Sequence, residues 1–241
     1  MSVTARARSA VAVARLLGED VLRSERFVAP AVLFAGALAI LFGGDPGPLP
    51  EPWAASALLL YPVGAWIAHA LAESEDDVAR TVTLSAAGGP LPVAAGVLVA
   101  ATTGIAALTL LAVVWGVLAA WGTATVGILA EGILAHLSCG ITGAAVGSVF
   151  ARPVFRRQGV ALLCGLAFVV ITGTRPWLPP VGTSAASLGS GRVGIGPVGD
   201  LLLALLVAVA ALAFVVRAEQ GGLQAWRRRR LAVLARIRER R

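Results

Sequence analysis

The placement of arginine around six apolar stretches constrains this chain more than any motif in it. A helix needs about 20 apolar residues to cross the hydrocarbon core of a bilayer. Stretches of that kind lie at Phe27–Gly43, Trp53–Ala72, Val93–Trp121, Val126–Phe150, Gly159–Thr174 and Val198–Val216. Six crossings put both ends of the chain on one side. The segments on that side, 1–26, 73–89, 151–158 and 217–241, hold 5, 1, 3 and 9 arginines. Only Arg175 and Arg192 fall outside them. Basic residues collect on the cytoplasmic side of membrane proteins, so the sequence predicts cytoplasmic termini.

Composition agrees. Hydrophobic residues make up 58% of the chain and charged residues 14%, where a soluble domain carries about 25% charge. The expected fold class is all-α: a polytopic membrane protein with six transmembrane helices and an N-terminal amphipathic interfacial helix. Its parts are the interfacial helix over 1–26, the six-helix domain over 27–216 and an Arg-rich cytoplasmic tail over 217–241. The pI of about 11.3 does not call for nucleic acid, because topology and attraction to anionic inner-leaflet lipids account for the excess charge.

All 20 basic residues are arginine. With the excess of Ala, Val, Leu and Gly, this coding bias suggests a high-GC bacterial genome, hence the bacterial inner (plasma) membrane. A P-loop needs a lysine after its glycine-rich turn, and this chain has none to offer. It also lacks HExxH and GxSxG motifs. No catalytic, cofactor or metal site is expected, and nucleotide-driven work would belong to a separate polypeptide. The first apolar stretch follows 26 residues and ends at Gly43-Gly44-Asp45-Pro46, which does not read as a cleavable signal peptide.

Over residues 8–26, Ala10, Val13, Ala14, Leu17 and Val21 share one helical face. Arg8, Arg15, Glu19, Arg23 and Arg26 share the other, as in a helix lying in the membrane interface. Trp53 stands where the second span begins, the place of an interfacial aromatic anchor, and Pro62 falls inside that span. Between the second and third spans lies the one acidic inner segment, with Glu73, Glu75, Asp76, Asp77 and Arg80, closed by Gly88-Gly89-Pro90-Leu91-Pro92. It reads either as a solvated loop paired with Arg15 or Arg23, or as a docking element for a partner.

Glu131 and His136 in the fourth span are the ionisable residues deepest in the apolar stretches. Charged groups at such depth are costly and mark functional-site candidates. Glu131 lies near the outer end and reads either as lining a pathway or as paired across helices. Gly140, Gly143 and Gly147 continue a small-residue stripe that permits close approach of a helix, within the subunit or from a second copy. Cys139 and Cys164 read as buried small apolar residues. In the tail, Leu223, Trp226, Val233, Leu234 and Ile237 form an apolar face among arginines, suited to binding membrane lipids.

This order of parts resembles the membrane subunit of ABC exporters of the type-2 permease (ABC-2-like) family. The features that carry the resemblance are the helix Arg8–Arg26, the acids Glu73, Asp76 and Asp77, then Leu84 and Pro90-Leu91-Pro92 ahead of a long span, and the outer segment Arg175–Gly199. The resemblance covers nearly the whole chain and is architectural. It implies a permease moving an amphipathic or lipophilic substrate by alternating access, and a homodimer or a similar permease partner. It also implies a separate ATP-binding subunit that holds ATP and Mg and docks on the acidic segment. Alternatives are a non-transporting scaffold or assembly protein, or a channel subunit similar to the haem exporter of cytochrome c maturation. A lipid-modifying enzyme finds thin support in Glu131 and His136.

Overall fold

In a computed structural model, the structure describes residues 2–155, 157–191, 194 and 196–239, with side chains described as far as residue 222. The described residues form nine helices and no strand: α1 (Val3–Arg23), α2 (Val28–Leu41), α3 (Pro52–Ala72), α4 (Asp77–Ala86), α5 (Pro90–Ala119), α6 (Val126–Val149), α7 (Gln158–Gly173), α8 (Val181–Gly189) and α9 (Gly196–Glu239). Four are long and apolar enough to cross a membrane: α3, α5, α6 and the first 27 residues of α9. A fifth arises if α1 and α2, which meet at 74°, count as one broken span. The chain is thus an all-helical, multi-pass membrane protein with four or five membrane-length helices. The first and fifth sequence-predicted spans are the short ones. α2 has 14 residues and α7 has 16, about 21 and 24 Å at 1.5 Å per residue.

The seam between α3 and α6 is the centre of the fold. Small residues make it: a Cβ added to Gly143 would strike the Tyr61 carbonyl, and one on Gly147 the Ala65 carbonyl. From the other side, a Cβ on Gly64 would strike the Gly140 carbonyl. The two backbones therefore touch, and dispersion between them replaces the hydrophobic drive that lipid does not supply. The glycine stripe of the sequence is spent inside this chain, not on a second copy.

Trp53 is fully buried. Its ring occupies a notch cut by Gly116 of α5 and Gly132 of α6, and its Nε1 donates to the Ala112 carbonyl at 3.2 Å. This corrects the expectation of an interfacial anchor. A tryptophan whose N–H finds an internal acceptor loses nothing by leaving the interface. Among the described residues the exposed tryptophans are Trp66, Trp121 and Trp177.

The apolar face of α1 matches the spacing residue for residue: Ala10, Val13, Ala14, Leu17 and Val21 are its buried residues. The face is covered by α5, however, rather than by lipid. Val13 Cγ1 lies 2.6 Å from where a Cβ of Gly96 would stand, so the glycine lets the two helices close. Ser2 caps α1 by accepting from the Ala5 N–H at 3.3 Å. Cys164 also departs from expectation: it is exposed on α7, while Cys139 is buried.

At the opposite end from α4, the segment after α7 folds α8 against α3, α6 and α9, burying Val181, Ser184 and Leu188. α9 then runs on without a break at residue 217. The apolar face of Leu223, Trp226, Val233, Leu234 and Ile237 lies outside the residues whose side chains are described.

Candidate functional site

The acidic segment is not a loop but mostly a helix. Asp76 starts α4 as its N-cap: its Oδ1 accepts from the N–H groups of Val78 at 2.9 Å and Ala79 at 2.7 Å. Such a cap satisfies donors that the first turn leaves free. Gly89, with φ of 128°, then reverses the chain into α5, a backbone conformation that favours glycine.

Arg152, in the turn after α6, gathers the acids. Its backbone N–H donates to Glu73 Oε1 and its Nε to Glu73 Oε2, both at 2.8 Å. Nη1 donates to Asp77 Oδ1 at 2.7 Å and Nη2 to the Glu75 carbonyl at 3.2 Å. Burial alone would lower the pKa of this guanidinium. The carboxylates of Glu73 and Asp77 outweigh that and hold it above its ordinary value. Glu75 accepts from the Thr83 hydroxyl nearly two turns into α4. Arg80, on the inward side of α4, donates to Glu219 Oε2 of α9 at 2.9 Å, both side chains being nearly buried. Two elements, the turn after α6 and α9, are thus tied to one short helix. The ion-pair partners read from sequence, Arg15 and Arg23, are not the ones used: Arg23 reaches only Glu19, its neighbour one turn back.

Clamping leaves the other face of α4 bare. Asp76, Asp77, Thr81 and Ser85 are exposed, and so are Val78 at 75% and Val82 at 61%. Valines four residues apart share a helix face, so a rigid helix outside the bundle presents an apolar pair beside exposed carboxylates.

The second polar group sits between α3, α6, α8 and the start of α9. Glu131 is buried. Its Oε1 accepts from the Ser187 hydroxyl of α8 at 2.7 Å, while Oε2 has no partner among the described residues. The cross-helix pairing of the two sequence readings is therefore present at one oxygen. Asp200, in the first turns of α9, accepts from Thr183 Oγ1 at 2.8 Å and Ser184 Oγ at 2.9 Å, and gains from the positive end of the helix dipole. His136 is fully buried. Its Nδ1 lies 2.7 Å from the Gly132 carbonyl and its Nε2 2.9 Å from Ser56 Oγ. A carbonyl can only accept, so Nδ1 carries a proton. The Ser56–His136 pair is sealed beneath the edge of Trp53 and bonds α3 to α6.

Arg152, Glu219, Asp200 and Ser187 escape a reading of the sequence. Each lies 56 or more residues from a partner it meets, except Asp200, whose partners are 16 and 17 residues away on a segment with no helical periodicity to read. The charge balance was the available hint: an acidic inner segment among inner-face arginines must find some of them.

No protein-family model matches the chain, no curated protein matches it, and no solved structure matches its fold.

Proposed function

We propose that this chain is the membrane-spanning permease subunit of an ABC exporter of the type-2 kind. In this reading α2 and α7, short as they are, complete six crossings with α3, α5, α6 and α9, and both termini lie in the cytoplasm of a bacterium. The subunit moves an amphipathic or lipophilic substrate. It works as a homodimer or with a similar permease, and a separate ATP-binding subunit supplies the energy.

The observation that carries this reading is the construction of α4. A flexible acidic loop would serve solubility alone. A capped helix, tied to the turn after α6 and to α9 by ion pairs, with Val78 and Val82 turned outward, has the form of a rigid lever with a docking face. Force applied there reaches α3, α5, α6 and α9 at once. Its carboxylates would set the orientation of a basic groove more than its affinity.

The test is affinity purification of the full chain from its native membranes under mild conditions. The expected result is an ATPase with a Walker motif recovered at one copy per permease copy, and its loss on Val78→Asp with Val82→Asp. These exposed positions leave the Arg152 and Arg80 ties intact, so the bundle stays folded. An unchanged partner in that variant overturns the docking role of α4. Absence of any ATPase in the wild-type preparation overturns the permease reading and favours a membrane scaffold. The scaffold reading draws its support from the sealed α3–α6 seam, where polar side chains bond one another instead of lining an open cavity.

A further inference from the structure

The short helices α2 and α7 flank α3 on its outward side and leave a cavity of about 550 Å³ at the end nearest α4. Its floor is Trp66, His69 and Ala70 of α3. One wall is Arg26 and Ala29, and the other is Gln158, Gly159 and Leu162 of α7. The volume is in the range that holds a small organic ligand.

We infer that this cavity is a binding site for one anionic phospholipid of the arginine-side leaflet, and this rests on the multi-pass membrane reading alone, not on the transport reading. The chemistry is graded from end to end. At the mouth, Arg26 donates one N–H to the Glu73 carbonyl at 3.1 Å, which fixes the guanidinium while leaving its other donors free. Glu73 also borders the cavity, but both its carboxylate oxygens are taken by Arg152. Among the described residues no carboxylate forms an ion pair with Arg26. The first turn of α7 opens on the same mouth without a side-chain cap, so its free N–H groups add positive potential. His69 is held by Nδ1 at 3.1 Å from the Phe150 carbonyl. That leaves Nε2 as an acceptor for a headgroup hydroxyl.

Away from the mouth every surface is apolar. Trp66 is 43% exposed and Leu162 55% exposed, and the same side of α3 continues through Pro62 and Leu59, both only partly covered. An acyl chain laid along that stripe would fill the gap between α2 and α7. A phosphate at Arg26 with a tryptophan beneath it is the arrangement expected at a headgroup boundary. Net positive charge is what separates this mouth from an ordinary apolar crevice: a zwitterionic headgroup would bring its own cation against Arg26.

The test is native mass spectrometry of the purified full chain, with phosphatidylglycerol or phosphatidylcholine supplied at equal concentration. Wild type should retain one phosphatidylglycerol per chain in preference to phosphatidylcholine. Arg26→Gln should weaken that retention on the order of fivefold, the worth of one arginine beside an anionic lipid surface. Leu162→Trp, which fills the gap from a lipid-facing position, should abolish it. Arg6→Gln removes one exposed arginine from α1 far from the cavity and should change nothing. Equal retention of the two lipids, retention by Arg26→Gln at the wild-type level, or an equal loss in Arg6→Gln would each overturn the site.

Discussion

α6 and α9 are both apolar helices long enough to span a membrane, yet 78% of the spanning window of α6 is buried inside the protein and 17% of that of α9. Hydropathy ranks them in the opposite order of their importance to the fold: α9 is the more hydrophobic and α6 the less. In a bilayer, lipid tails are as apolar as leucine, so a leucine-rich helix gains little by packing. Small and polar residues gain most: glycine through close approach, serine and histidine through hydrogen bonds that lipid cannot offer. α6 is the hub because it carries Gly140, Gly143, Gly147, His136 and Glu131, and α9 is peripheral because its middle carries mainly leucine, valine and alanine.

The comparison breaks most visibly at the glycines. Gly143→Leu must push α3 and α6 apart along the seam, where the Tyr61 carbonyl and the Ala65 N–H, 3.0 Å from an added Cβ, leave no room. Backbone cannot move as a side-chain end can, so the cost should exceed the roughly 1–3 kcal/mol of ordinary overpacking. The expected outcome is loss of the monodisperse species in fluorescence-detected size exclusion. Gly36→Leu in α2, where nothing lies within 4 Å, is the control and should leave the profile unchanged. Equal behaviour of the two variants would mean the seam is not the centre of the fold.

Next in size is Arg152→Ala, which strands the nearly buried Glu73 carboxylate. Leaving a buried charge without its partner costs about 3–5 kcal/mol; the partial exposure of Arg152, at 27%, lowers the expectation to about 2 kcal/mol. Thermal unfolding in detergent should show a lower midpoint for Arg152→Ala than for Asp77→Ala, because Asp77 is 90% exposed and water replaces its lost partner. A larger loss from Asp77→Ala would place the anchor of α4 at the wrong acid.

Much of this was legible in the sequence, for reasons that differ by element. The five buried residues of α1 follow from a 3.6-residue period, which survives any choice of partner. What period cannot say is whether lipid or protein covers the face, and here α5 does because Gly96 admits Val13. The helix bounded by Asp76 and Gly89 is foreshadowed by its cap and breaker residues, while four acids in five residues suit a solvated loop as well as a docking element. Trp53 misled because interfacial tryptophan is a statistical habit, and Gly116 and Gly132, 63 and 79 residues away, were needed to see the notch. Glu131 was marked by cost alone; its bond to Ser187 joins helices 56 residues apart.

Glu131 should give a moderate effect. Glu131→Gln keeps an oxygen to accept from Ser187, so thermal stability should change by less than about 1 kcal/mol. Glu131→Leu removes the acceptor and leaves the half-buried Ser187 hydroxyl unpaired, at a cost of about 1 kcal/mol. If the permease reading holds and Glu131 faces the pathway, Glu131→Gln should alter substrate-stimulated ATP hydrolysis of the assembled complex while the midpoint stays fixed. A lower midpoint with activity falling only in proportion to the folded fraction would assign Glu131 to structure.

The smallest effect is expected on the outward face of α9, and it is the one that sharpens the comparison most. Leu206 is 65% exposed there, while Leu60 of α3 is fully buried against the seam. Truncating Leu60 to Ala removes contacts that lipid cannot restore, and should cost about 2–5 kcal/mol. Truncating Leu206 exchanges one leucine–lipid contact for another lipid carbon, so its midpoint should fall within about 0.5 kcal/mol of wild type. Both are read in the same thermal unfolding series in lipid nanodiscs. The argument depends on lipid being what covers Leu206. If a second copy of the chain covered it instead, Leu206→Ala would open a cavity between two protein surfaces. Its cost would then rise toward that of Leu60→Ala and vary with protein concentration. A near-zero and concentration-independent shift therefore places any subunit contact away from this face, and a large one puts α9 at the dimer interface.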